Sequence, residues 1–289
     1  MKQSILCFVI FMNILFLSAS CGNASELQRE FVQQLLIAEG FEPLQAKNLL
    51  EDPRVFIHPD IVIKNLFFSK PHGAKRTPDM MAVDPRQIER GRTFMKKHAD
   101  SLSAVEKRFG ASPRIITALL IIESRLGTCP MPYNVVNAYA NLAFILEPNY
   151  FKEVQNRYGA SYPQLYDEAT IARAGKKARW AIAELYHLVQ IANHLHIDPL
   201  TIPGSFAGAM GPAQFIPSSF RIFGIDGDND GLASPLNMAD ANFSMGYYLK
   251  KYGWQENASL QQKRKAIWYY NHSDVYVNTV MMIYDELGR

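Results

Sequence analysis

Glu123 is the residue in this sequence whose surroundings best suit acid catalysis. It lies near the end of an apolar segment, residues 115–127, that the sequence predicts as a helix. At helical spacing, Glu123 shares one face with Ile116, Leu119 and Leu120. Burial raises the pKa of a carboxyl group, and the negative end of the helix dipole acts in the same direction. A carboxylic acid that stays protonated near neutral pH is what general acid catalysis at a glycosidic oxygen requires.

The alternative is a structural role for Glu123. Helices often carry a glutamate near one end, and Arg125 or another base could pair with it on the surface. The predicted helix itself has clear ends, with Ser112 as the N-cap, Pro113 at the first helical position and Gly127 at the end. Perturbed acids are only enriched at functional sites, so other segments have to decide between the two roles.

The segment 199–220 carries no charged residue and is rich in glycine between residues 204 and 211. Glycines let a backbone approach a ligand closely and adopt conformations that are closed to other residues. Polar and aromatic side chains in the same segment suit a neutral, polyhydroxylated ligand. The alternative is a buried glycine-rich turn that only packs helices. The candidate ligand contacts are Ser205, Phe206, Gln214 and Phe215.

The segment 268–276 places aromatic side chains beside the amide of Asn271, just before the last predicted helix. Such a combination is common in sugar clefts, because a pyranose presents one flat apolar face and many hydroxyl groups. The alternative is that Trp268 and Tyr269 belong to the core and that the next residues only form a turn. His272 has no partner that would make it a metal ligand or a base.

The segment 226–231 has carboxylates at its first, third and fifth positions and glycine at the sixth, which matches the start of an EF-hand calcium loop. Asn237 occupies the twelfth position, where a glutamate is usual, so we expect Asp240 to close a slightly longer loop. The alternative is a turn with side-chain-to-backbone hydrogen bonds and no ion. Oxygen donors without nearby histidine or cysteine do not suit zinc. The predicted calcium ligands are Asp226, Asp228, Asp230, Leu232 through its carbonyl, and Asp240.

The elements that position these residues are predicted to be mainly α-helical, and strand signals are sparse. Long connections between the helices are expected to line a site. The basic stretch 70–82, with its prolines and glycine, is predicted to be a linker. Besides the helix of Glu123, helices are predicted over residues 27–38, after Pro43, within 86–109, and over 135–146, 171–196, 243–252 and 276–287.

The N-terminal residues are predicted to be a targeting signal. Lys2 precedes an apolar stretch, residues 5–17, that is too short to span a membrane and is typical of a secretory signal peptide. Residues 17–21 resemble a bacterial lipoprotein signal, so we predict export and a lipid on Cys21. That lipid would anchor a periplasmic protein to the outer membrane without spanning it. The alternative is a simple secretory signal that happens to precede a cysteine.

The composition excludes little, but it argues against nucleic acid as a partner. The chain has 289 residues, of which 48% are hydrophobic, so it can form a sizeable core. A net charge of +3 is small, and no basic face interleaved with aromatic residues is visible. We therefore expect no nucleic-acid partner.

Three segments, in this order, make the sequence similar to the lytic murein transglycosylase B family. The resemblance covers about residues 84–289 and includes the aspartate-rich loop. Leu126 stands where the family usually has an aromatic residue, and Tyr269 replaces a frequent arginine, which we expect to alter subsite preference only. The matching motifs are Glu123-Ser124, the run Gly204 to Gly211 with Gln214-Phe215, and Tyr270-Asn271 with Tyr276.

The resemblance implies a mainly α-helical fold with a lysozyme-like core. It also implies cleavage of the bond between N-acetylmuramic acid and N-acetylglucosamine in peptidoglycan glycan strands, which leaves a 1,6-anhydro ring. Glu123 is then the acid, no cofactor takes part in the chemistry, and calcium is a structural ion. The expected parts of the chain are a signal peptide (1–20), an N-terminal helical segment and linker (21–82) and the catalytic domain (83–289). The residues implied to bind substrate are Ser124, Ser205, Phe206, Gln214, Phe215, Tyr270, Asn271 and Tyr276.

The three motifs contain no second acidic residue that is placed as a nucleophile or base, which an ordinary two-carboxylate glycosidase needs. Attack by the sugar's own 6-hydroxyl removes the need for a positioned water. We therefore expect Glu123 to protonate the leaving oxygen and then to take the proton of the 6-hydroxyl. Two other functions stay open: a hydrolytic muramidase on the same fold, and a non-enzymatic wall-binding lipoprotein.

Overall fold

The computed structural model describes residues 26–68 and 80–289, which form two compact units. The unit that we call the sheet unit consists of residues 26–68 and 131–208. The unit that we call the Glu123 unit consists of residues 80–130 and 209–289. Both are mainly α-helical, as the sequence predicts.

The described residues form thirteen α-helices and two short β-strands, joined in places by single turns of 3₁₀- or π-helix. The strands β1 and β2 are Tyr133–Asn134 and Pro203–Gly204. The helices are α1 (Glu26–Glu39), α2 (Pro43–Glu51), α3 (Pro59–Ile63), α4 (Pro85–Lys97), α5 (Ala99–Phe109), α6 (Pro113–Ser124), α7 (Val135–Ala143), α8 (Pro148–Tyr158), α9 (Glu168–His194), α10 (Pro217–Phe223), α11 (Met238–Lys251), α12 (Leu260–Tyr270) and α13 (Asp274–Glu286).

Helix α6 is the centre of the Glu123 unit and packs against α4, α5, α11 and α13. Its residues from Ile115 to Ile121 are all buried, because the segment is apolar around the whole helix rather than along one stripe. A helix of this kind is stable only as the core of its unit. Glu123 directly follows this apolar run. The sequence therefore places its carboxyl group inside the core rather than on the surface.

Helix α6 begins as predicted but ends earlier. Pro113 is its first residue and Ser112 has the extended backbone of an N-cap. The helix stops at Ser124, because Arg125, Leu126 and Gly127 all have left-handed backbone angles, with φ of 51°, 63° and 78°. The amide of Leu126 returns to the carbonyl of Leu120 at 2.9 Å, which closes the helix end.

The sheet unit is organised around α9, a helix of 27 residues that packs against α7 and α1. The two strands are antiparallel, with Tyr133 opposite Gly204 and Asn134 opposite Pro203. Asn134 also serves as the N-cap of α7, since its side chain accepts a hydrogen bond from the amide of Asn137. The strand pair thus brings the start of α7 to the first part of the glycine-rich segment.

The predicted helices agree with the observed ones, with differences at particular places. Residues 86–109, for which the sequence allows one or two helices, form two, α4 and α5. Helices α3, α8, α10 and α12 are additional to the prediction. Helix α3 has only five residues, and the polar and aromatic sequences of the other three give weak helical periodicity. The two units interleave along the chain, whereas the sequence places a single boundary near residue 82.

The predicted signal peptide, the lipidation site Cys21 and most of the predicted linker lie outside the described residues. Among the residues that are described, no helix combines the length and the apolar character needed to cross a membrane. The export and anchoring of the chain therefore stay predictions from the sequence.

Candidate active site

Glu123 is a buried carboxyl group in the Glu123 unit. Its side chain is only 1% exposed, on the last turn of α6. Removal from water penalises the charged form and raises the pKa of Glu123 from its ordinary value of 4.5 to about 8. The carboxyl group is therefore protonated at neutral pH, as the sequence pattern predicts.

Tyr276, on α13, holds this carboxyl group. Its hydroxyl donates a hydrogen bond to Oε1 of Glu123 at 2.5 Å. Burial and the neighbouring Glu123 carboxyl raise the pKa of Tyr276 well above its ordinary value, so the phenol stays a donor. The bond lowers the pKa of Glu123, but by less than burial raises it. The family resemblance implies that Tyr276 binds substrate, whereas its hydroxyl here orients the acid.

Tyr270 and Phe215 form an aromatic layer in the same unit. The ring of Tyr270 is fully buried, and its hydroxyl donates to the carbonyl of Ala213 at 2.6 Å. Burial, followed by the charge of Glu123, raises the pKa of this hydroxyl. Phe215 lies with its ring centroid 5.6 Å from that of Tyr270 and 5.7 Å from that of Tyr248. Both predicted residues thus pack within one aromatic layer, and Tyr248, which the sequence motifs do not indicate, belongs to the same layer.

Gln214 lies in a turn with a strained backbone that begins at Gly211, the last glycine of the glycine-rich run. Its φ is 50°, a left-handed value that costs a non-glycine residue free energy, and such strain clusters at functional sites. Its side-chain Nε2 donates to the carbonyl of Gly211 at 2.8 Å. Gly211 itself admits no side chain, because a Cβ there would lie 1.7 Å from the carbonyl oxygen of Pro235. Close packing, rather than ligand approach, requires glycine at position 211.

The side chains of Ser124 and Asn271 differ in whether they already make hydrogen bonds with the described part of the chain. The hydroxyl of Ser124 accepts a hydrogen bond from the amide of Gly127 at 2.9 Å, within the turn that ends α6. Ser124 is buried, so it supports the turn behind Glu123. Asn271 is half-buried at the end of α12, and its side-chain amide makes no hydrogen bond with the described part of the chain. Of the two predicted contacts, Asn271 keeps its polar groups available for a ligand.

Ser205 and Phe206 belong to the sheet unit, because the boundary between the units falls after Gly208. The carbonyl of Phe206 accepts a hydrogen bond from Asn65 at 2.8 Å, and its ring lies 6.4 Å from that of Tyr133. Gly208 packs tightly within this unit, since a Cβ there would lie 2.1 Å from the ring of Tyr139. The predicted substrate contacts are therefore divided between the two units.

The aspartate-rich loop brings three carboxylates together. Oxygen atoms of Asp226, Asp228 and Asp240 all lie within 4.8 Å of one another. Asp240 is fully buried, and its pKa is raised by burial and by the charges of the other two. Three hard anionic donors that repel one another at this separation fit a divalent cation such as calcium.

The same loop also contains the side-chain-to-backbone hydrogen bonds that are expected of a turn without an ion. Asp240 accepts from the amides of Gly227 and Ser234, both at 2.7 Å. The carboxylate of Asp230 is not among the three that converge, and it accepts a hydrogen bond from the amide of Leu232 at 2.8 Å. Of the predicted ligand carboxylates, those of Asp226, Asp228 and Asp240 thus lie close together, and that of Asp230 lies outside the group.

Comparison with known proteins identifies the family. A family model described as the transglycosylase SLT domain matches residues 24–265. The chain belongs to this family. It is 24% identical over 252 residues to membrane-bound lytic murein transglycosylase B of Escherichia coli, and this match covers 84% of the chain. The chain spans 61% of the length of that relative.

Solved structures share the fold. SltB3 of Pseudomonas aeruginosa, in complex with NAG-NAM-pentapeptide, has a TM-score of 0.71 at 20% identity, over 92% of this chain and 80% of SltB3. The E. coli lytic transglycosylase Slt35 in complex with calcium has a TM-score of 0.66 at 20% identity, over 91% of this chain and 93% of Slt35. The mainly α-helical, lysozyme-like fold predicted from the sequence is therefore confirmed.

Proposed function

We propose that this chain is a lytic transglycosylase that cleaves the β-1,4 bond between N-acetylmuramic acid and N-acetylglucosamine in peptidoglycan without using water. The observation that carries the proposal is the neutral, buried Glu123 held by a single tyrosine. The membership of the chain in the transglycosylase SLT family supports the reaction type. The names of its relatives, which include a murein transglycosylase and a complex with NAG-NAM-pentapeptide, support the substrate.

In the first step Glu123 donates its proton to the glycosidic oxygen, and the bond from that oxygen to the anomeric carbon breaks. The N-acetylglucosamine portion leaves with a free 4-hydroxyl. Transfer of its proton leaves Glu123 as a carboxylate, and the hydrogen bond from Tyr276 stabilises that charge until the second step. The N-acetyl carbonyl of the muramic acid stabilises the positive centre in between.

In the second step the 6-hydroxyl of the muramic acid attacks its own anomeric carbon and gives its proton to Glu123. The proton that Glu123 lost is restored, and the product is a 1,6-anhydro ring. One carboxyl group suffices for both steps. Burial and Tyr276 account for the pKa of Glu123, with no contribution from another carboxylate of the described residues. A retaining glycosidase would carry a second carboxylate about 5 Å away, close enough to perturb that pKa.

We infer the substrate contacts partly from the geometry of the Glu123 unit and partly from the family resemblance. We assign Asn271 to hydrogen bonding with the sugar, because its amide is not used within the described chain. Gln214, Phe215 and Tyr270 shape the site, and Ser205 and Phe206 are assigned to substrate through the family resemblance. Calcium is proposed as a structural ion held by Asp226, Asp228 and Asp240, without a part in the chemistry.

The cellular setting is proposed from the sequence. A signal peptide over residues 1–20 and a lipid on Cys21 would export the chain and tether it at the outer membrane, beside its polymeric substrate. Replacing Cys21 by alanine should release the protein from the membrane fraction. Retention of the Cys21→Ala variant in that fraction would contradict lipid anchoring.

The product distinguishes the proposed function from hydrolysis. Purified peptidoglycan digested in ¹⁸O-labelled water should give fragments that are one water lighter than the hydrolytic products and carry no label. Labelled reducing ends would instead identify a muramidase. Binding to cell-wall sacculi without any soluble product would identify a non-enzymatic wall-binding protein.

A further inference from the structure

A cavity of about 270 Å³ lies within the sheet unit, and none of its lining residues belongs to the predicted site. Preformed, concave sites with aromatic walls and a few polar groups are the usual form of small-ligand pockets. The rings of Phe56 and His58 lie with their centroids 4.3 Å apart on one side. The other lining groups that matter for a ligand are Tyr133, Asn134, Asn137 and Arg54.

The wall formed by residues 54–58 is fixed in place by two buried amides of α7. Asn137 accepts from the amide of Phe56 at 3.0 Å and donates to the carbonyl of Arg54 at 2.8 Å. One turn further, Asn141 accepts from the amide of His58 at 2.6 Å and donates to the carbonyl of Phe56 at 2.9 Å. Because each backbone group is paired in this way, the aromatic rings are held ready and little ordering is needed on binding.

The charges at the cavity favour a neutral ligand. Arg54 pairs with Asp198 at 2.6 Å and with Asp52 at 2.7 Å, so two carboxylates surround one guanidinium group. Its positive charge is therefore more than balanced, and an anionic ligand gains no net attraction. A neutral ring with an apolar face and hydroxyl groups matches the aromatic walls and the polar rim.

The cavity also adjoins the sheet-unit part of the family's glycine-rich motif. Tyr133 lies in the wall, and β-pairing places it opposite Gly204, directly before Ser205. The ring of Tyr133 contacts that of Phe206 edge to face. A chain of sugars held at Ser205 and Phe206 would thus have a further contact available within the same unit.

We propose that this cavity binds one neutral pyranose ring of the glycan strand, as a contact beyond the bond that is cleaved. The proposal rests on the proposed function, since the glycan strand is its substrate. It assigns Phe56 and Tyr133 to stacking on the sugar. The volume suits a single ring, so longer strands gain the contact and the shortest fragments do not.

NMR titration with chitotriose tests the proposal without turnover, on the Glu123→Gln protein. The side-chain amides of Asn134 and Asn137 should shift on addition of the sugar. Phe56→Leu keeps the apolar volume but removes the flat ring, so the affinity at these signals should fall about tenfold, equivalent to ~1.4 kcal/mol. Leu44→Ala is the matched control, because Leu44 is an apolar residue of the same unit that is 69% exposed and does not line the cavity.

Unchanged Asn134 and Asn137 signals in the sugar titration would overturn the proposal, even if Phe56→Leu failed to fold. Filling of the cavity by a sugar-free stem peptide in place of the sugar would overturn it as well. The active variants add a second readout: Phe56→Leu should raise KM for long strands and leave kcat unchanged. If the wild type makes no anhydro product while the amides still shift, the proposed function fails and the cavity remains a sugar site.

Discussion

Two regions of the Glu123 unit use the same functional group in opposite ways. Glu123 is a single carboxyl group in apolar surroundings, with one hydrogen bond from Tyr276. Asp226, Asp228 and Asp240 are three carboxylates drawn together at one loop. Burial raises the pKa of Glu123 and also that of Asp240, but Asp240 accepts two backbone hydrogen bonds and has two anionic neighbours.

The neighbours of a buried acid decide what it is suited to bind. A lone carboxyl group without a nearby charge is most stable when it keeps a proton, which it can lend to a leaving group. Several carboxylates facing one another are most stable when a cation replaces the protons. One unit can therefore hold a proton donor and a cation site without any shared chemistry.

The largest expected effect comes from removing the proton of Glu123. Glu123→Gln keeps the shape and an acceptor for Tyr276 but cannot transfer a proton, so kcat should fall by about 10³ or more. The variant should still bind glycan, which co-sedimentation with sacculi measures. Activity within tenfold of the wild type would place the acid elsewhere.

The next effect concerns the cation site. Chelation of calcium should lower the free energy of unfolding of the wild type by about 2–3 kcal/mol, because the ion binds only the folded state. Asp240→Asn should be less stable than the wild type and insensitive to chelator. Asp230→Asn is the matched control and should keep the response, since its carboxylate is outside the converging group. Equal melting temperatures of the wild type with and without chelator would support the ion-free loop.

Stability should depend on pH through Glu123. The folded pKa is raised to about 8 from 4.5, so the folded state holds a proton that the unfolded state has lost in this range. The stabilising contribution is complete below pH 4.5 and is lost as the pH rises through 8. Denaturant titrations should therefore show Glu123→Gln gaining about 2 kcal/mol relative to the wild type from pH 5 to pH 7. A constant difference across this range would mean that the pKa of Glu123 is not raised.

The smallest expected effect is that of Tyr276→Phe. The hydroxyl of Tyr276 lowers the pKa of Glu123, so its loss should raise that pKa and move the alkaline limb of the pH–activity profile to higher pH. Loss of orientation should reduce kcat about tenfold, equivalent to ~1.4 kcal/mol. Tyr284→Phe is the control, because its hydroxyl bonds to Glu256 in the same unit. An alkaline limb that stays in place would exclude a bond between Tyr276 and the acid.

The sequence predicts those parts of the site that depend on local pattern. Helix α6, its first residue and the burial of Glu123 all follow from a proline and an apolar run. The partner of Glu123 could not be found in this way, because Tyr276 lies 153 residues away and its contact exists only in the folded chain. The reasons for Gly208 and Gly211 are also non-local, since each packs against a distant segment. Asp230 fits the loop pattern, yet in the folded chain its carboxylate accepts a hydrogen bond from the amide of Leu232 and lies outside the converging group.

The role of Glu123 as the acid is tested most directly by the titration of Glu123 itself. Carbon-13 NMR of protein labelled at the glutamate carboxyl groups, compared between the wild type and Glu123→Gln, isolates the signal of this one residue. We expect a titration midpoint near pH 8. A midpoint near pH 4.5, the ordinary value for glutamate, would contradict this role, because Glu123 would then have no proton to give at neutral pH.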